Sequence, residues 1–323
     1  MGADDMRLGC WTPLRAEGDA VSDPLRAAID GIREAEDQGF DMALVAERWL
    51  GPWLEAWHLT TALALSTNKI ELITAVHPGI LNPQVVAKFG TTVHMISGGR
   101  CAINVVNGWQ QNELDVYGNG AWLCDPEKRY KRMDEFIRVV RGLWTDSEFA
   151  LEGEFYRVNS KGLLVALPTP PAPRIYSTSH SDTGQNIIAN SCDVWFIDAP
   201  AQHRQYEKNF ASIAALVKAM NERCHALGRR LDYYLNATVL CLDDLSDAMT
   251  RADELEVKAK NNRQLLIPGG VRGLGGGLVG SPSFVVERMR RYQEIGISGF
   301  MLRFIPQPAG RTKFLKSVAP QLQ

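Results

Sequence analysis

The sequence predicts an α/β chain folded as a (β/α)8 TIM barrel with insertions at its C-terminal face. Three observations predict it: eight short β-branched or apolar runs, longer amphipathic segments between them, and no linker dividing the chain. Repeated βα units imply parallel strands joined by right-handed crossovers. Eight such units favour a closed barrel over an open, doubly wound sheet, and barrels commonly exceed average domain size. The expected organisation is one domain over residues 1–323.

The elements follow in order. Arg7–Trp11 reads as the first strand, and Pro24–Gln38 as a helix ending at Gly39. Met42–Val45 is the second strand, followed by a helix over Glu55–Ser66. Glu71–Val76 is the third, stopped by His77-Pro78-Gly79. Pro83 opens the next helix at its first position, where the missing N–H costs nothing. Cys101–Val106 is the fourth strand, and Pro126–Trp144 a long helix with apolar spacing at Phe136, Val139, Val140 and Leu143. A hairpin over Phe149–Arg157, turning at Glu152-Gly153, interrupts the alternation. Arg174–Ser177, Val194–Ile197, Tyr233–Leu240 and Gly299–Phe304 supply the remaining strands. The glycine-rich stretch Asn261–Ser281 is the most irregular, and in a barrel such an insertion is expected to act as a lid, with Arg272 over a bound anion.

Composition narrows the function classes. Hydrophobic residues make up 45% and charged residues 22%, enough for a large core and against disorder. A net charge of −2 gives no reason to expect nucleic acid or an anionic membrane as partner. No apolar run is long enough to span a bilayer, and the polar start lacks the regions of a signal peptide. Six cysteines are scattered singly, which reads as reduced thiols in a cytoplasmic protein.

Several constellations carry chemical information. Gly275, Gly277 and Gly280 spell GxGxxG, but in a long loop rather than between a strand and a helix, so a dinucleotide fingerprint is disfavoured. The strand end Asn104-Val105-Val106-Asn107-Gly108-Trp109 holds two amides. Asparagine in a buried strand is costly without partners, and paired amides suit the edge of a heteroaromatic ring. Holding the turn together is the equally weighted alternative. The stretch Tyr176–Thr183 ends a strand, begins a helix and offers five hydroxyls besides Tyr176, whereas one cap needs one. The surplus points to a phosphate at the helix N-terminus. Trp11, Trp53, Trp57 and Trp109 fall near strand ends, where they either enclose a dry cavity or pack the core. Six dispersed histidines make no metal set, and no GxSxG elbow exists, so a cofactor is expected to carry the chemistry.

The run HPGILNPQVVAKFGTTVHMISGGRCAINVVNGW from His77, then ELDVYG and EKRYKRMDEFIRVVRGLW, resembles the luciferase-like flavin monooxygenases. The likeness is nearest to the alkanesulfonate and dimethyl-sulfone monooxygenase branch, and extends to Tyr176–Ser181, to LVGSP at Leu278–Pro282 and to GISGFMLRFIPQ. It implies a two-component monooxygenase in which reduced FMN, delivered by a separate NAD(P)H-dependent flavin reductase, and O2 oxygenate a small organic substrate through a flavin (hydro)peroxide. It also implies a homodimer or homotetramer. Carried over by position, Asn104 lies beside the isoalloxazine with Asn107 just beyond it, and Tyr130, Ser179 and Ser181 reach the FMN phosphate. Asn104 and Trp11 are the catalytic positions; Trp11, Trp53, Trp57, Asn236, Thr238 and Arg272 line the substrate side.

Departures from that pattern matter as well. Where the sulfonate enzymes carry an arginine and a histidine, this chain has Asn236 and Thr238, which implies an uncharged substrate, organosulfur or heterocyclic. The family's Gly-Gly-Ser-Ser phosphate loop is replaced by Thr178-Ser179-His180-Ser181. Two other functions stay open: an F420-dependent hydride-transfer oxidoreductase of the same superfamily, and a non-catalytic flavin-binding partner subunit.

Overall fold

A computed structural model describes residues 6–12, 23–51, 53–107, 111–118, 122–161, 171–200, 202–262 and 270–322. In chain order the elements are β1 (Arg7–Trp11), α1 (Pro24–Asp37), β2 (Met42–Val45), α2 (Ala56–Ser66), β3 (Glu71–Val76), α3 (Pro83–Ser97) and β4 (Cys101–Val105). Next come α4 (Gln111–Tyr117), α5 (Pro126–Thr145), β5 (Ala150–Glu152), β6 (Arg157–Asn159), β7 (Arg174–Ser177), α6 (Asp182–Ser191) and β8 (Val194–Asp198). The chain ends with α7 (Tyr206–Ala226), β9 (Asp232–Cys241), α8 (Leu245–Asn261), β10 (Val279–Gly280), α9 (Pro282–Glu294), β11 (Ile297–Phe304) and α10 (Ala309–Ser317). The fold is a (β/α)8 TIM barrel of parallel strands with flanking helices, as the alternation predicted.

Local chemistry explains why the helices start where they do. Asp23, Asn82 and Asp125 each accept a hydrogen bond from a first-turn backbone N–H, and each precedes a proline at the first helical position. Gly98 ends α3 in the left-handed region at φ 67°, a conformation that glycine adopts without a Cβ penalty. Between β3 and α3 the connection is only six residues long, and such connections at the C-terminal ends of strands carry a barrel's functional side chains.

The chain forms two compact units, Trp11–Trp195 and Phe196–Gln323 with Met1–Cys10. Within the first, β2, β3, β4 and β7 are parallel neighbours. Their register sets Ala75 beside Asn104 and Asn104 beside Tyr176. The buried runs Leu72–Val76 and Cys101–Val105 supply its core together with Phe136, Val139 and Val140 of α5. β5 and β6 form the antiparallel hairpin that the turn residues predicted. Within the second unit, β11 lies between β9 and β1, and β10 extends β9 on its other side.

The largest difference from expectation is the glycine-rich stretch. Residues 263–269 lie outside the described residues, but Val271–Gly276 is a 3-10 segment that continues into buried Val279–Gly280. Val271, Leu274 and Val279 join Leu240, Ala248 and Ala252 in one apolar cluster. A Cβ at Gly273 would stand 2.6 Å from Thr238 Oγ1 and 2.8 Å from the Thr238 amide nitrogen. Glycine here permits backbone to lie directly on β9, so 271–280 is a packed brace rather than the expected lid. It also accounts for the length of β9, whose far end it covers.

Candidate functional site

The hydroxyl-rich loop after β7 forms a cradle at the N-terminus of α6. Ser181 is the N-cap, its Oγ accepting from Gly184 N–H at 3.1 Å. Ser179 Oγ accepts from Ser181 N–H at 3.2 Å and lies 3.2 Å from the Tyr130 hydroxyl, which α5 contributes. Ser177 Oγ donates to Val105 O at 2.8 Å and pins the strand end to β4. Thr183 turns outward to Glu127 at 3.2 Å. A Cβ at Gly184 would meet Ser179 Cβ and Tyr130 Cε1, both at 2.6 Å, so the absence of a side chain there keeps the hydroxyls converged. The cap reading and the anion reading therefore both hold, for different hydroxyls: Ser181 caps, while Ser179 and Tyr130 face the same helix end. Three of the predicted phosphate contacts come together, and an anion there would also meet the positive end of a ten-residue helix.

The strand ends of the same unit also present buried polar atoms with no partner among the described residues. Asn104 Oδ1, His77 Nε2, Thr178 Oγ1 and Thr12 Oγ1 are all of this kind, and they follow or end β4, β3, β7 and β1 respectively. Buried polar groups are paired in the large majority of cases, because desolvation without a partner costs roughly 1–3 kcal/mol each. These four strand-end atoms of one unit have no partner among the described residues and could take up hydrogen bonds from a ligand.

Their chemistry is complementary. Gly79 N–H donates to His77 Nδ1 at 3.3 Å, which leaves the ring proton on Nε2. Burial, followed by the charge of Arg132, lowers the His77 pKa to about 4 and keeps the ring neutral. His77 thus offers an N–H donor and Asn104 a carbonyl acceptor. Asn107 follows β4 and is half-buried. Near the end of β2, Glu47 accepts from Ala56 N–H at 3.0 Å and Arg48 N–H at 2.7 Å. Burial raises the Glu47 pKa to about 7 despite these bonds, and neighbouring Glu55 and Glu113 add to the rise.

The tryptophans divide. Trp11 ends β1 and Trp53 precedes α2, both half-buried. Trp57 is buried in the first turn of α2, and its ring meets Phe89 of α3 edge-on at 5.6 Å, a packing contact in the helix layer. Trp109 lies outside the described residues.

The second unit holds its own polar group. Asn236 Nδ2 donates to Asp198 Oδ1 at 2.8 Å, while Asn236 Oδ1 is buried without a partner. Thr238 is 1% exposed and its hydroxyl donates to Gly270 O, so it holds the glycine brace. Arg272 is exposed on the 3-10 segment. Arg303 stands beside Thr238 in the β9–β11 register. Burial lowers its pKa to about 10, opposed by the charge of Asp198. Asp198, Arg303, His77 and Glu47 were not singled out from sequence. Each sits at a strand end, and that position was the available signal.

The residues of Trp11–Trp195 fit FMN on three observations: the Asn104 acceptor without a partner, the neutral His77 donor, and the side-chain-free cradle at Gly184 beside Ser179 and Tyr130. Comparison with known proteins agrees. A family model described as luciferase-like monooxygenase matches residues 6–299. The FMNH(2)-dependent dimethylsulfone monooxygenase of Pseudomonas putida is 30% identical over 230 residues, 70% of this chain and 61% of that protein. The enzyme of the same description from Pseudomonas fluorescens (strain Pf0-1) is 30% identical over 261 residues, 77% of this chain and 68% of its own length. The EDTA monooxygenase (EmoA) from Chelativorans sp. BNC1 shares the fold, with TM-score 0.79 and 19% identity over 99% of this chain and 93% of that one.

Proposed function

This chain belongs to the luciferase-like monooxygenase family, and from that premise we propose that it is the oxygenase component of a two-component, FMNH2-dependent monooxygenase acting on a small organic substrate. The observation that carries the proposal is the set of buried polar atoms without a partner among the described residues, together with the Tyr130–Ser179–Ser181 cradle. A site with a ring-edge donor, a ring-edge acceptor and an anion cradle matches a phosphorylated heteroaromatic cofactor.

In this reading Tyr130, Ser179 and the first turn of α6 hold the phosphate, while His77 Nε2–H and Asn104 Oδ1 orient the ring edge. Reduced FMN, when bound, supplies the two electrons that allow O2 to deliver one oxygen atom to substrate and the other to water. The chain's own work is positional. It fixes the ring by neutral hydrogen bonds and keeps water away with half-buried Trp11 and Trp53. Because His77 stays neutral at pH 7, it donates without acting as a stray acid in the cavity.

Anaerobic titration with reduced FMN, oxidised FMN and reduced F420 tests the reading. Tighter binding of reduced FMN, together with O2-dependent turnover, supports it. Tighter F420 binding with turnover in the absence of O2 assigns hydride transfer instead. Asn104→Ala removes the ring-edge acceptor and is expected to weaken reduced-FMN binding roughly tenfold, the scale of one lost hydrogen bond in a dry site. The same variant should divert O2 consumption from product to hydrogen peroxide. Unchanged affinity and coupling would take Asn104 out of the site.

The partners follow from the same proposal: an NAD(P)H-dependent flavin reductase supplies FMNH2, and the chain works in the cytoplasm as a homo-oligomer. Support for the last point is the apolar surface of α2 and α3, where Leu65 is 74%, Val85 42%, Phe89 40% and Met95 57% exposed. Val85, Phe89 and Ile96 recur at helical spacing along one edge of α3. Phe89→Glu combined with Ile96→Glu should yield a monomer in light scattering; an unchanged mass would place any interface elsewhere. Among the described residues, no helix is long and apolar enough to cross a membrane.

A further inference from the structure

The β5–β6 hairpin interrupts the alternation of strands and helices, and it reaches the turn that follows β3 within the same compact unit. Glu135 on α5 anchors it. That one side chain accepts from Glu154 N–H at 2.9 Å, Phe155 N–H at 2.8 Å and Tyr156 N–H at 3.1 Å. Gly153 leaves the carboxylate its place, since a Cβ there would overlap Glu135 Oε2. The Tyr156 ring meets Phe136 edge-on at 6.1 Å. Its hydroxyl is thereby carried to Pro78, 78 positions earlier in the chain, and donates to Pro78 O at 2.6 Å.

Pro78 O and Gly79 N–H are the two ends of one peptide group. The carbonyl accepts from Tyr156, and the N–H donates to His77 Nδ1 at 3.3 Å. A trans peptide is planar with C=O and N–H pointing opposite ways, so holding one end orients the other. No link can run in reverse, because a carbonyl only accepts and an amide N–H only donates. Burial pushes the Tyr156 pKa up to about 12, with Arg132 lowering it and Glu135 raising it, so the hydroxyl stays a donor.

The turn does not dictate this orientation by itself. Ile80 N–H donates to His77 O at 3.0 Å, which makes Pro78 and Gly79 the central pair of a β-turn. Pro-Gly at these positions suits type II, in which glycine takes a positive φ and the central peptide is turned by about 180° relative to type I. Gly79 does not take a positive φ. Space also requires glycine, because a Cβ would stand 2.5 Å from Leu114 Cδ2 and 2.8 Å from Arg132 Nη2. The residue that fits is therefore one that permits both orientations, and a contact from outside the turn decides between them. Pro78 is buried, so turning its carbonyl away from Tyr156 would forfeit a bond that water does not readily replace.

We propose that Tyr156 is a positioning residue for the flavin site: its hydroxyl selects the orientation of the Pro78–Gly79 peptide and so keeps His77 an Nε2–H donor. The β5–β6 hairpin is the element that delivers it. The inference deepens the monooxygenase reading, and its flavin-binding arm rests on that reading.

Long-range proton–nitrogen NMR on the whole, flavin-free chain with isotopically labelled histidine reads the tautomer, and His77→Gln assigns the His77 signals by their loss. Wild type should show His77 with its proton on Nε2 alone. Tyr156→Phe keeps the ring against Phe136 and removes only the hydroxyl. A second population with the proton on Nδ1 should then appear, because an imidazole released from Gly79 N–H carries its proton on either nitrogen. Anaerobic titration with reduced FMN should show about fivefold weaker binding in Tyr156→Phe, the scale of one neutral hydrogen bond. In a His77→Gln background the same substitution should change affinity less than about twofold, since a residue that acts through His77 has nothing left to act on. A purely structural contribution would lower affinity equally in both backgrounds and leave the tautomer alone. A proton on Nδ1 in wild type, an unchanged tautomer in Tyr156→Phe, or equal losses of affinity in both backgrounds would each overturn the proposal. The wild-type spectrum tests the orientation without any variant. Failure of wild type to bind reduced FMN counts against the monooxygenase reading instead, while the tautomer spectra still decide what Tyr156 does to His77.

Discussion

Replacing Gly184 with alanine is expected to weaken FMN binding about 100-fold, or roughly 2.7 kcal/mol, while leaving the barrel folded. The new methyl group would stand 2.6 Å from both Ser179 Cβ and Tyr130 Cε1. Neither neighbour can yield freely. Ser179 is held by Ser181 N–H, and the Tyr130 ring projects from the first turns of α5. Relief requires the loop after β7 to move away from the helix, and that movement separates the hydroxyls from the N–H groups of α6. Overpacking of this kind costs about 1–3 kcal/mol of stability in general, but here the strain falls on the loop after β7 and the first turn of α6 rather than on the strand layer. Fluorescence titration with FMN beside a thermal melt checks both halves. Wild-type affinity in the variant would mean that the phosphate is held elsewhere.

The second large effect is a pair of opposed pH dependences. His77 falls from 6.5 to about 4 on folding, because burial and then Arg132 disfavour the imidazolium. The unfolded chain then binds more protons between those values, so this residue's contribution is full above pH 6.5 and is lost as pH falls toward 4. Glu47 rises from 4.5 to about 7, because burial disfavours the carboxylate. The native state holds the extra proton there, so stability declines as pH rises from 4.5 to 7. Each displacement corresponds to at most about 3.4 kcal/mol, and over pH 4.5–6.5 the two slopes largely cancel. Glu47→Gln should therefore expose the histidine slope, giving a protein that loses stability steeply below pH 6.5. His77→Gln should expose the opposite slope, with stability falling toward neutral pH. Urea unfolding across pH 4.5–7.5 measures both; parallel curves for wild type and variants would show that neither group is perturbed as described.

Both effects depend on atoms whose roles sequence reasoning reached unevenly. Asn104, Ser179 and Ser181 stand out in the linear pattern as an amide inside an apolar run and a surplus of hydroxyls at a helix start, whereas Tyr130 entered only through the family resemblance. His77 was legible only as the residue that stops β3. Its neutral state and its tautomer depend on Gly79 N–H and on Arg132, which α5 brings to it from 55 positions along the chain. The glycine-rich stretch misled for a related reason. Glycines permit mobility in an exposed loop and close backbone approach in a packed one, and their spacing does not distinguish the two. Contact with Thr238 decided it.

The barrel, the alternation of its strands and helices, and the helix starts at Pro24, Pro83 and Pro126 are written in the linear sequence, as is the cluster of hydroxyls at the start of α6. These follow from period, capping chemistry and composition, which are local properties of the chain. The tertiary structure alone decided which polar atoms lack partners, which of two glycine roles applies, and that Arg303 is balanced by Asp198. Those are properties of pairs brought together across strands. Hydrogen-bond satisfaction and charge compensation depend on distances between residues far apart in sequence, so a linear pattern carries no record of them.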